Sequence, residues 1–548
     1  MATKFNFNGK LVKLPGVYSQ IKSGINNPPL DFSFGNVVIV DNDNTSLYGG
    51  GSGVNGEQEQ NTGSIYGFDN VQDLRAFVGG GPIWDIAAPL FRPFGSGSQG
   101  ASTVWIIKGQ TTAGATETIS LTTGGDVALK TKYEGLGGNG VEGVTNQLTT
   151  GFAWTIEAGS IDPAKFVFKF WRGTYKGVDA AGLTLDSLSL AESQPELLAT
   201  SPEIAALSEL VAWSLTDYAF NNYFIPADGT GITADTIVVG DLAANTGNQL
   251  FAGGTASAAT TDFDAAMAAI QELDYTFILS LESGANVAST DNIKLQYHIE
   301  NDAKYQKYLV VGGSDDKTGF ATNSIAAAAT YNSNRVMVVH GGCYIADRSV
   351  GANGLRQKNS LYKAAFVLGR TCGLEPQIPI TFKGIGIAGE VHKLTNTERE
   401  TALDAGVITT YFEPEIAGGI FAITQGVNTL QNNDFIVNSD GTSHLVSVER
   451  IAAQLNKEIE INAKNTLLGN QTAGPNRSTL SLEVVSEWVE NYLRRKEATP
   501  TQDNLILSFQ DITVAIKQDA YCINYAFVPN FEVNKLFVTG LIIDPNIT

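Results

Sequence analysis

Thr276-Phe277-Ile278-Leu279-Ser280-Leu281, Tyr308-Leu309-Val310-Val311 and Arg335-Val336-Met337-Val338-Val339-His340 are three strand-like runs, and the segments around them read as helices. Ahead of the first, Phe263, Met267, Ile270 and Leu273 share one helical face behind a Thr261 or Asp262 cap. A helix through Ile293 and Tyr297 follows it, and an alanine-rich helix at Ser324 to Thr330 follows the second. Another helix covers Ser360 to Arg370. Strand–helix alternation of this kind predicts a largely parallel sheet covered on both faces. Residues 241–382 are therefore read as a central α/β domain.

Working outward, residues 28–112 read as a small α/β unit. Val37 to Val40 is a buried strand, Val71, Leu74 and Val78 mark a helical face, Trp84 to Phe91 continues as helix, and Thr103 to Lys108 returns as strand. Residues 113–240 turn rich in Thr and Gly, with short strands at Glu117 to Leu121, Val127 to Lys130 and Phe166 to Trp171, and helical pieces near 203–214. They read as a β-rich insertion. Phe166, Phe168 and Phe170 alternate as core rather than as a ligand platform.

Residues 383–533 read as α+β. Asp440-Gly441 predicts a hairpin between Phe435-Ile436-Val437 and His444-Leu445-Val446. Val448, Ile451, Ala452, Leu455 and Ile459 form one helical stripe, and Leu482, Val485, Val489 and Tyr492 form another. The second helix ends in Arg494, Arg495 and Lys496, as its dipole favours. Strands with alternating Ile512, Val514, Ile516 and Tyr521, Ile523, Tyr525, Phe527 follow.

Both ends read as arms. In residues 1–27, Leu14-Pro15-Gly16-Val17-Tyr18 breaks regular structure, and Val17, Ser19 and Ile21 then alternate as a lone strand. Residues 534–548 hold a closing strand with Leu536, Val538, Leu541 and Ile543. A strand that cannot bury itself needs a partner for its backbone groups, and another copy of the chain can supply one.

A chain of 548 residues is too long for one core, and 43% hydrophobic residues make it globular. Its 35 basic and 56 acidic side chains leave −21. Such a surface repels phosphate backbones and anionic lipid, which argues against nucleic acid as a partner. No apolar run approaches bilayer length, so no membrane insertion is expected. Three scattered cysteines and a start without an apolar leader fit assembly in a cytoplasm.

Chemical motifs fail on inspection. Gly49 to Gly56 lacks the lysine of a phosphate loop, and Asp41-Asn42-Asp43-Asn44 lacks the glycine and glutamate of a calcium loop. His340 and Cys343 are too few for zinc. Gly441-Thr442-Ser443 matches a protease nucleophile run, yet Ser443 is placed in a hairpin, and His340 and His392 lack a protease context. No catalytic, cofactor-binding or metal-binding residue is assigned.

The pieces together resemble the contractile tail sheath proteins of myovirus-type phages and related injection systems. The runs that carry this are Leu14 to Tyr18, Val71 to Phe94 with Gly100-Ala101-Ser102, Thr131 to Gly135 with Gly138-Asn139-Gly140, and Phe251 to Thr255. Ala364 to Arg370 with Pro379-Ile380-Thr381, Thr397 to Val407, Gln425 to Leu430 and Val448 to Ile451 complete the order. The resemblance implies a non-catalytic central domain of subtilisin-like shape, an outward-facing insertion and a tube-facing C-terminal domain. It implies a homo-hexameric ring polymer on an inner tail tube, with baseplate and tail terminator proteins as further partners, in the tail of a virion. Terminal arms would join neighbours by strand addition, and Arg494, Arg495 and Lys496 would face an acidic tube. Two other readings stand beside it: a static shell or adhesive protein, and a serine hydrolase built on Ser443.

Overall fold

The structure is a computed structural model that describes residues 5–7, 10–12, 35–41, 65–78, 81–95, 98–108, 111–120, 125–134, 139–142, 148–173, 195–229, 232, 235–253, 255–257, 260–271, 273–302, 306–346, 354–414, 419–431, 438, 442–463, 482–499, 504–517 and 520–530. At its centre is a seven-stranded sheet in the order 407–408, 336–339, 308–312, 277–283, 36–41, 103–108, 65–68. Every neighbouring pair is parallel except the edge strand Ile65–Phe68. The segments 28–112 and 241–382, read separately in the sequence, thus lie side by side in one sheet. A two-residue strand from beyond residue 382, Val407–Ile408, closes the far edge.

The period of two in these strands sorts their side chains into two cores. Val37, Ile39, Val104, Ile106, Val310 and Val339 point to one face; Val38, Val40, Ile107, Leu309, Val311 and Val338 point to the other. The first face is covered by the helices Val71–Val78, Gly81–Phe91 and Ser360–Cys372. The last of these is buried along twelve of its thirteen residues, so it is a core helix rather than an amphipathic surface one. The second face is covered by Thr260–Ile270, Thr290–Tyr297 and Ala326–Tyr331. Two expectations shift here. The first of these helices stops before Leu273, which packs against the core from the following turn. The alanine-rich helix opens with a π-helical turn, Phe320–Ile325.

Strands dominate the region read as 113–240, and its sheets also take in Gln249–Leu250 and Thr255–Ser257 beyond that bound. Two four-stranded sheets, 196–200/166–172/152–158/249–250 and 224–228/126–134/111–120/255–257, enclose Trp154, Phe166, Phe168, Phe170, Phe220 and Phe224. The aromatic run is core: Phe168 and Phe170 are fully buried.

In the C-terminal part the hairpin expected around Asp440-Gly441 is described only at its base, where the Asn438 N–H donates to the Thr442 carbonyl at 2.8 Å. Its first strand and turn lie outside the described residues. His444-Leu445-Val446 is no strand: Leu445 makes one bridge to Val427, and Val446 opens the eighteen-residue helix Val446–Ala463. The local reason is that Ser443 and Glu449 tie the chain into a helix start, the Ser443 N–H donating to Glu449 Oε1 at 2.6 Å. This helix and Leu482–Arg494 pack Ile451, Leu455, Val489, Tyr492 and Leu493 against one face of a long hairpin, Ile506–Lys517 with Ala520–Pro529. Leu482, expected in that stripe, is exposed. The hairpin is bulged between Gln510 and Thr513, where Asp511 takes a left-handed φ of 55°.

Candidate functional site

The parallel strands deliver polar side chains to their C-terminal ends, the usual place for chemistry in an open α/β sheet. His340 follows the strand Val336–Val339, and the Ser324 side chain reaches it from the π-helical turn. Ser324 Oγ lies 2.9 Å from His340 Nδ1, and His340 Nε2 lies 3.0 Å from His392 Nδ1. Ser324 Oγ already accepts the Ser314 N–H at 2.8 Å, so its own proton goes to His340. One direction then satisfies the chain: Ser324 donates to His340, His340 to His392, and His392 Nε2–H faces Glu398, 3.9 Å away.

A serine bonded to a histidine is half of a nucleophile–base pair. Here both members are sealed in: Ser324 is fully buried, His340 is 1% exposed, and the Phe320 ring sits 4.7 Å from the imidazole. Burial, helped by the nearby Lys363 charge, drives the His340 imidazole down to about 2. Its neutral form is therefore fixed, and the arrangement works as a structural clamp.

Two further buried ionic contacts stand beside it. Lys363, on the core helix, reaches Glu390 at 3.4 Å and Thr410 Oγ1 at 3.2 Å. Lys358 meets Asp85 at 2.8 Å with both side chains under a tenth exposed. Sequence reading missed all three contacts. Their partners are 52, 27 and 273 residues apart, so no local spacing announces them. Cys343, weighed with His340 as a metal pair, is buried in the core, and burial pushes its thiol up to about 12. Among the described residues no group of three or more His, Cys, Asp or Glu is placed to hold a metal.

Ser443 was expected in a tight hairpin, away from any helix start. It lies instead three residues before the helix Val446–Ala463, fully buried, and its hydroxyl accepts the Leu445 N–H at 3.1 Å. It serves the helix start, while His340 and His392 are engaged with each other and with Ser324.

The expected arm residues Leu14, Pro15, Gly16, Val17, Tyr18, Ser19 and Ile21 lie outside the described residues, as do Leu536, Val538, Leu541 and Ile543. The basic trio is described and its members differ. Arg494 and Arg495 are exposed; Arg494 pairs with Glu490 at 2.5 Å, and Arg495 Nε donates to the Asn491 carbonyl. Lys496 turns inward to Glu458 at 2.7 Å. Burial works to raise the Glu458 carboxyl, but hydrogen bonds from Lys496, Tyr492 and Gln454 outweigh it and hold it below the ordinary range.

The long hairpin is the feature with unspent bonding capacity. Among the described residues its strands pair with each other and, beyond one bridge from Ile506 to Glu497, with no other strand, so most of both outer edges has no ladder partner there.

No family model matches the chain. The tail sheath protein of Bacillus phage SP01 is 22% identical over 592 aligned positions, which span 97% of this chain and 96% of that one. Among solved structures, the fold is similar to a sheath tail protein of Listeria innocua (TM-score 0.50, 15% identity, 91% of this chain and 92% of that one). A sheath tail protein of Desulfitobacterium hafniense is similar too (TM-score 0.50, 16% identity, 94% and 99%). The sequence match runs end to end, and the solved sheath proteins share the mixed α/β fold with its mostly parallel central sheet. The chain is thus similar over its whole length to a phage tail sheath protein, and its fold is similar to that of two solved sheath tail proteins.

Proposed function

We propose that the chain polymerises as stacked hexameric rings around an inner tail tube and shortens to drive that tube through a cell envelope. As a tail sheath protein of a phage or related contractile system it is structural rather than enzymatic. The observation that supports the finer reading is the hairpin Ile506–Lys517/Ala520–Pro529. Among the described residues its strands of twelve and ten residues have, apart from a bridge between Ile506 and Glu497, no ladder partner on their outer edges, and such edges are an aggregation hazard unless something covers them. Arm strands around Val17 to Ile21 and Leu536 to Ile543, contributed by neighbouring copies, are suited to do so by strand addition. Each main-chain bond adds only about 1 kcal/mol net, but a ladder of them holds while rigid bodies pivot at its ends.

The other partners in this reading are the tube protein, the baseplate and the tail terminator, with the virion tail as the final location. Deletion of residues 1–20 tests it. Full-length protein is expected to form hollow striated cylinders in negative stain, and the truncation is not. Full-length cylinders from truncated protein would remove the arm from the mechanism. Contraction itself predicts two helical lattices of the same subunit; a single lattice under all conditions would leave a static shell.

A further inference from the structure

Phe382 holds a left-handed φ of 60° at the third position of the turn 380–383, which is closed by the Lys383 N–H donating to the Ile380 carbonyl at 3.1 Å. Glycine or asparagine is the usual residue there, because a larger side chain strains the backbone. The Phe382 N–H donates to the Ile423 carbonyl at 2.8 Å, so the strand beside it holds the conformation in place. The ring returns nothing to the subunit for that strain: the residue is 53% exposed and joins no hydrophobic core among the described residues. A bulky residue kept in a strained and solvent-facing position points to a use outside the subunit.

A second segment runs beside this turn. The Gly386 N–H donates to the Pro93 carbonyl at 2.8 Å, and the Phe94 ring lies so close to Gly384 that a Cβ there would meet it at 3.0 Å. Phe94 is itself 41% exposed, and its N–H donates to Ser98 Oγ at 2.7 Å. Each ring has a cation close to it in the chain: Arg92, which is exposed, and Lys383, which is half-buried. Among the described residues neither cation has an ion pair. Exposed rings beside unpaired cations suit a contact that buries apolar area and meets carboxylates at the same time.

We propose that Arg92, Phe94, Phe382 and Lys383 form a docking patch for an acidic face of a second copy of this chain. This rests on the sheath reading. Charge complementarity selects the occupant. With 56 acidic against 35 basic side chains each copy carries −21, so copies repel one another except where exposed cations meet carboxylates.

The test uses full-length protein with Phe382→Asn, Phe382→Gly, Phe382→Tyr, and Arg92→Glu combined with Lys383→Glu. Asparagine and glycine accept the left-handed φ and remove only an exposed ring, so both unassembled subunits should melt at or above the wild-type temperature. Cylinder yield in negative stain should nevertheless fall about tenfold for each. Phe382→Tyr keeps the ring and should assemble as wild type does. The double charge reversal should melt with wild type and lose at least as much yield as removal of the ring. Wild-type yields from Phe382→Asn and from the charge reversal would overturn the proposal and leave the sheath reading intact. A lost yield matched by a lower melting temperature would also overturn it, by making Phe382 part of the subunit's own fold. Normal cylinders that no longer bind tube protein would overturn it as well, by giving the patch to the tube. Wild-type protein that forms no cylinders would count against the sheath reading itself and remove this proposal with it.

Discussion

His340 Nε2 and His392 Nδ1 lie 3.0 Å apart, joining the loop after the strand Val336–Val339 to the segment after the strand Gly389–Glu390. Both imidazoles are held below their ordinary range, chiefly by burial, with Lys363 adding to the effect at each. A folded-state value near 2 for His340, against about 6.5 in the unfolded chain, means that the unfolded state binds the extra proton. Stability from this group is complete above about pH 6.5 and declines as pH falls below it, reaching a loss of about 2 kcal/mol at pH 5. Urea unfolding of wild type and His340→Gln at neutral and mildly acidic pH measures it. The variant should lose less stability on acidification by about that amount; equal losses would show that His340 does not carry the dependence.

The central sheet was legible because period-two apolar strands and helical stripes recur along 263–370, and the two cores confirm that sorting residue by residue. The second strand read after Asp440-Gly441 differs for a local reason. His444-Leu445-Val446 has strand propensity, but the Ser443–Glu449 contact and the stripe from Val448 to Ile459 convert it into a helix start. Lys496 looked like one more charge at a helix end, and only the packed helices reveal Glu458 opposite it. The burial of Arg450 was equally invisible, because an arginine amid Val448 and Ile451 reads as the polar side of an amphipathic turn.

Asp85 and Lys358 tie the helix Gly81–Phe91 to the strand Leu355–Lys358 across the core face. Asp85→Asn leaves the buried ammonium without its anion, which should cost about 3 kcal/mol. Replacing both partners with Leu and Met should restore most of it. Chemical denaturation of the single and double variants decides this, and a single variant as stable as wild type would refute it.

Gly369 lets the core helix Ser360–Cys372 press against the helix Gly81–Phe91. A Cβ there would sit 2.3 Å from the Pro89 carbonyl oxygen and 2.7 Å from that of Leu90, both backbone atoms that cannot rotate away. Gly369→Ala must therefore spread the two helices, and overpacking of this kind should destabilise by about 3 kcal/mol. Thermal melting of the subunit reads the effect directly. An unchanged midpoint would mean the helices can separate without loss.

Lys496 changes how the basic trio has to be tested. Its ammonium, Tyr492 Oη and Gln454 Nε2 all donate to the Glu458 carboxylate, joining Val446–Ala463 to Leu482–Arg494 beneath the hairpin. Lys496→Glu sets two carboxylates face to face in a half-buried site and should cost the subunit about 2 kcal/mol, with or without a tube. Arg495 points outward, so Arg495→Glu should leave subunit melting unchanged. If this helix end meets an acidic tube, Arg495→Glu should weaken co-sedimentation with tube protein, and raised salt should weaken the wild-type contact in parallel. A Lys496→Glu subunit that melts with wild type would refute the internal role. Unchanged co-sedimentation of Arg495→Glu would remove that side chain from the tube-facing surface, a conclusion that reversing all three charges together cannot deliver.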